Sequence, residues 1–113
     1  MVRFLQNDNR LAYANENNQQ ETIDEKQVFC IFAENLREVR THCRLTLMQL
    51  AELVDIPNQT LSSYENKTHT PSMIQAVKIA AFFNLTVEEF ILCGMDNYPY
   101  DIIELYEKRK REE

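Results

Sequence analysis

The sequence predicts an all-α fold, five short helices followed by a sixth near the carboxy terminus, and three observations carry that prediction. One Gly and three Pro in 113 residues leave little turn chemistry for a many-stranded sheet. Long stretches of Leu, Ala, Glu, Gln, Lys and Arg favour helix. Four helix-start boxes, in which Ser or Thr precedes Glu or Gln by three residues, punctuate the chain: Thr22/Glu25, Thr46/Gln49, Ser72/Gln75 and Thr86/Glu89. In each, a side-chain oxygen satisfies a first-turn amide and the later side chain reaches back to the cap, a gain of about 1 kcal/mol.

Apolar spacing fills in the elements. Val28, Phe29, Phe32, Leu36, Val39 and Cys43 line one side of the first helix, and Leu47, Leu50, Ala51 and Val54 one side of the second. The third begins near Pro57, whose fixed φ suits a first turn, and turns Leu61 and Tyr64 inward. The fourth runs from Ser72 through Ile74, Val77, Ala80, Ala81 and Phe83. The fifth runs from Thr86 through Val87, Phe90 and Ile91, closing near Gly94. The stretch from Asp101 to Arg111 is amphipathic, with Ile102, Ile103, Leu105 and Tyr106 ahead of a basic run, and predicts a sixth, marginal helix.

These elements divide the chain into an arm over 1–27, one core-bearing domain over 28–95 and a helical extension over 96–113. With 44% hydrophobic and 10% aromatic residues the chain can fill one core. Eight of the first twenty residues are Asn or Gln, which resist burial, so the arm reads as disordered. The alternative is a β-hairpin, pairing Val2 to Leu5 with Arg10 to Ala14 across a four-residue polar turn. Such a hairpin must pack on the domain or on a second subunit to persist.

Composition also excludes. Cys30, Cys43 and Cys93 form no Cys-x-x-Cys pair, and read as reduced thiols packed like small hydrophobes in a cytoplasmic protein. No apolar run is long enough to span a bilayer, and the amino terminus lacks a signal-peptide stretch. His42 and His69 lack partners at metal-ligand spacing, and no Gly-rich phosphate loop or nucleophile constellation occurs. The sequence therefore predicts no catalytic residues, no metal, no cofactor and no small-molecule ligand. Glu88 and Glu89 read as a helix start, and Lys108 to Arg111 as a solvated helix end. A net charge of −6, spread evenly along the chain, argues against broad affinity for polyanions and leaves room for a local contact face.

Helices two and three are joined by so few residues that they must cross steeply. Ala51 supplies the small side chain where they back onto each other, and Leu47, Leu50, Val54, Ile56, Leu61 and Tyr64 seal the wedge. Asp55 stands where the chain leaves helix two, a place wanting a left-handed residue, which Asp can adopt at modest cost. With Leu61 and Tyr64 inward, the outward residues of helix three are Asn58, Gln59, Thr60, Ser62 and Ser63. All five are polar and uncharged. Amides match the donor and acceptor edge of adenine, and hydroxyls reach several bases, so this side suits the major groove of double-stranded DNA.

Residues 29–93 resemble the Cro/repressor helix-turn-helix family, also called xenobiotic-response-element or lambda-repressor-like. The matching pieces include Leu36-Arg37-Glu38-Val39-Arg40, Leu50-Ala51-Glu52, Thr60-Leu61-Ser62-Ser63-Tyr64-Glu65-Asn66, Pro71-Ser72 and Leu85-Thr86-Val87-Glu88-Glu89-Phe90. The resemblance implies that Asn58, Gln59 and Ser63 read bases, with Thr60 and Ser62 near the backbone or groove edge. It implies an ion pair between Arg40 and Glu65 that ties helix one to the end of helix three, with Arg40 also able to approach phosphate. It implies phosphate clamps at Thr46 and along Asn66, Lys67, Thr68 and His69, where loop and helix-end amides hold anions without net positive charge.

Three positions depart from the family pattern. Leu47 replaces a phosphate-contacting Gln, Asp55 the turn Gly, and Lys67 the Gly after Glu-Asn. The expected function is a bacterial or phage transcriptional regulator, binding a two-fold operator as a homodimer recruited through the carboxy-terminal helix, the amino-terminal hairpin or both. The alternative is a protein-interaction module, antitoxin-like or an anti-regulator, that keeps the fold with weak or no DNA binding.

Overall fold

The structure, a computed structural model, describes residues 24–112, and all regular structure among them is helical. The elements are α1 (Glu25–His42), α2 (Leu47–Val54), α3 (Asn58–Glu65), α4 (Met73–Phe82), α5 (Val87–Leu92) and α6 (Ile102–Glu112). The proposed hairpin and Thr22 lie outside the described residues. The cap of α1 is Asp24, whose carboxylate accepts from the Lys26 amide, so residues 25–27 form the first turn of α1 and are not part of an arm. The boxes at Thr46/Gln49 and Thr86/Glu89 close in both directions. At Ser72 only the first half forms: the hydroxyl accepts from the Gln75 amide, while Gln75 Oε1 is buried without a partner.

The helices end alike. Arg44, Asp55, Lys67 and Asn84 all have φ between 59° and 67°, and Gly94 has φ 111°. After each of the first four, an amide bonds back five residues to a helix carbonyl: Leu45 to Arg40, Ile56 to Ala51, Thr68 to Ser63 and Leu85 to Ala80. This closure satisfies orphan carbonyls and swings the next residue toward the core. Ile56 and Leu85 are buried and Leu45 half-buried, so three closures also plant an apolar side chain. Thr68 is the exception and stays exposed.

One core runs through the molecule. Leu36, Val39, Leu50, Leu61, Ile79 and Phe90 are fully enclosed, and Phe90 stacks at a tilt on Phe32 with ring centroids 5.2 Å apart. Asn35 is buried among them, because its Nδ2 donates to the carbonyls of Phe90 and Cys93 at 2.8 Å and ties α1 to the end of α5. On α1, Phe29 proves exposed and Val28 half-buried, while Ile31 and Ala33 take the inner positions.

The largest correction concerns α4. Ala76, Ile79 and Ala80 face the core, and Phe83 follows them inward, but Ile74, Val77 and Ala81 face solvent. The opposite end of the chain is also firmer than expected. Asp101 caps α6 by accepting from the amides of Ile103 and Glu104, and Ile102 is buried against α1. Arg109 grips Glu89 with two bonds of 2.6 Å and reaches the Asn84 carbonyl, so this member of the basic run is no solvated charge. His42, expected to be isolated, sits 2.6 Å from Glu107.

Candidate nucleic-acid interface

α2 and α3 are joined by Asp55, Ile56 and Pro57, and the joint explains itself residue by residue. Asp55 is left-handed (φ 59°, ψ 48°), Ile56 plunges into the core, and Pro57 starts α3 with φ −57°. Leu61 and Tyr64 bury the inner side of α3. What remains outward is the uncharged polar set. Asn58 and Gln59 are exposed, while Thr60, Ser62 and Ser63 are half-buried. Ser63 donates its hydroxyl to the Thr60 carbonyl at 2.7 Å, and Ser62 accepts from Asn66 Nδ2 at 3.3 Å. Both hydroxyls are thus oriented by the helix itself, and the two amides carry the freest polar reach.

The other end of α3 is anchored by a buried carboxylate. Glu65, its side chain 1% exposed, accepts from Arg40 Nε at 2.7 Å and from the other Arg40 fork nitrogen at 3.0 Å. The remaining Arg40 nitrogen donates to the Leu45 carbonyl, and the side chain is only 13% exposed. All three guanidinium nitrogens are engaged inside, so this arrangement gives Arg40 a structural part and leaves it no hand for phosphate. Arg37, which sequence reasoning passed over, also donates to Glu65 at 3.3 Å while 58% exposed. Its place one turn before Arg40 is the signal that points to it.

Thr46, Asn66, Lys67, Thr68 and His69 are all exposed, as phosphate contacts would have to be. The loop amides, however, are turned inward. The N–H groups of Asn66, Lys67, Thr68 and His69 donate to the carbonyls of Ser62, Tyr64, Ser63 and Ser63. Closing α3 consumes them, so side chains and not loop amides are what this segment offers an anion. Lys67 Nζ lies 3.0 Å from Glu34, and that hydrogen bond raises its pKa and keeps it charged. A phosphate at Lys67 would have to displace an exposed carboxylate, an exchange that is nearly neutral at the surface. Thr46 and Gln49 cap each other at the start of α2.

Two short packed helices, with a three-residue joint and the second presenting uncharged polar side chains, have the arrangement of a helix-turn-helix. Residues 36–90 match the helix-turn-helix family model. This segment is a helix-turn-helix domain of the Cro/repressor type. No curated protein and no solved structure matches the chain. The helix-turn-helix domain makes it a DNA-binding regulator in general terms. α3 is the second helix of the pair within the matched segment. Among the described residues, no helix is long and apolar enough to cross a membrane.

Proposed function

We propose that this protein is a sequence-specific transcriptional regulator of bacterial or phage type, working in the cytoplasm as a homodimer on a two-fold operator. The observation that carries the reading is the outward side of α3, where five successive outward positions are polar and none is charged. A helix that only faced water would more often carry Glu and Lys. Asn58 and Gln59 read base edges directly, with Ser63 and, at the groove edge, Thr60 and Ser62 beside them. Thr46, Asn66, Lys67, Thr68 and His69 position the duplex through its phosphates, with Arg37 as a further cation beside them.

Gln59→Ala should cost about 1–3 kcal/mol on the preferred duplex and relax specificity there, as measured by competition against mixed-sequence DNA. Equal loss on every sequence contradicts base reading. The competing reading, a protein-interaction module, draws support from the net charge of −6. It requires that mixed genomic DNA is not retained even at low salt, where a phosphate-contacting protein binds best.

A further inference from the structure

α4 shows solvent the wrong kind of face. Met73, Ile74, Val77 and Phe82 are 80%, 70%, 50% and 41% exposed, and Ala81 lies exposed among them. At 100° per residue these five fall within one half of the helix, and that half contains no carboxylate. Its one polar member is Lys78, half-buried, whose Nζ donates to the Asp55 carbonyl. Single exposed hydrophobes are ordinary, but four large ones on one helix form a patch that soluble proteins cover.

We propose that this face of α4 is where a second copy of the chain docks, helix against helix across a two-fold axis. This deepens the operator reading above, and rests on it for the role of the pair in DNA binding. Three observations select a second copy as the occupant. First, the apolar residues of α6, one of the two recruiting elements expected from the sequence, are engaged at home: Ile102 is buried and Ile103, Leu105 and Tyr106 pack on the core of their own chain. Second, a net charge of −6 makes two copies repel wherever carboxylates face each other. The α4 half is free of them, and an apolar patch is complementary to itself, as an isologous contact requires. Third, α4 and α3 belong to one domain, separated by only residues 66–72, so a two-fold axis at α4 relates the two reading helices as well.

The size of the patch sets the expected strength. A ten-residue helix is about 15 Å long and supplies less than the roughly 800 Å² per partner of a standard interface. The contact is therefore a reversible one, completed when both copies sit on one duplex.

Sedimentation equilibrium of the full chain without DNA tests the face independently of the operator reading. The expected result is a monomer–dimer equilibrium that Ile74→Glu weakens at least about tenfold. Since Ile74 is exposed, the circular dichroism and melting of that variant should be unchanged. Should Ile74→Glu lose its fold, Met73→Gln combined with Ile74→Gln removes the same apolar surface without adding charge, and should weaken the dimer too. Gln59→Ala should dimerise like the parent chain. A chain monomeric up to about 1 mM, or folded variants that dimerise as the parent does, overturns the proposal. On DNA, Ile74→Glu should lose affinity for a duplex with two half-sites and keep its affinity for one. If dimerisation is as expected but neither duplex is bound, the α4 face stands and the operator reading fails.

Discussion

At the scale of the residue, two buried groups determine how the domain answers to mutation and pH. Glu65 is enclosed and held by Arg40, and breaking a buried pair from one side leaves an uncompensated charge. Arg40→Ala should lower unfolding free energy by about 3 kcal/mol, read from the urea midpoint at constant slope. An unchanged midpoint would show that Arg37, still within reach of Glu65, suffices alone. Cys93 is enclosed beside α5, and burial pushes its thiol up to about 11 from the ordinary 9.0. The folded chain then holds a proton that the unfolded chain releases, so this contribution is complete below pH 9 and is lost as pH rises toward 11. Stability should fall across that window, and the fall should be shallower in Cys93→Ala; identical slopes would contradict the assignment. The pair Arg40 and Glu65 was legible because both residues fall within recognisable family segments. Asn35 was not, since an Asn on an apolar face looks like an error in the pattern until the α5 carbonyls it caps are seen.

At the scale of the element, starts were more legible than ends. Thr46 and Thr86 mark their helices through side-chain chemistry that spacing alone reveals. Ends rely on left-handed residues, and with one Gly in the chain four of the five carry a side chain: Asp55 and Asn84 take that conformation at modest cost, while Arg44 and Lys67 resist it. Arg44→Gly should therefore stabilise the domain by about 1 kcal/mol, seen as a higher melting temperature with the same circular dichroism. A lower melting temperature would mean that the Arg44 side chain contributes more than its backbone conformation costs. The phase of α4 was illegible for a different reason. Met73 to Phe82 is apolar at every position except Gln75 and Lys78, and both of those are half-buried. A helix that is hydrophobic all round has no polar side to orient it. Only the packing of α2 and α5 against α4 decides that Ile79 goes in and Ile74 stays out.

At the scale of the molecule, an acidic chain meets a polyanion by restricting where charge appears. The outward side of α3 is neutral, and the two exposed cations near its end are shared, Lys67 with Glu34 and Arg37 with Glu65. α6 closes over α1 through Ile102 and His42 with Glu107, and over α5 through Glu89 with Arg109, the guanidinium holding the Glu89 carboxyl below its ordinary pKa. That closure keeps the carboxy-terminal helix with its own domain. Affinity on such a surface must come from fit to the groove more than from counterion release, which makes sequence preference the property to measure. Selection of bound sites from a random duplex pool does this most directly. A dimeric groove reader should enrich a two-fold-related motif whose half-sites lie about 10 bp apart, one for each α3. A pool recovered without enrichment, or not retained at low salt, would contradict it.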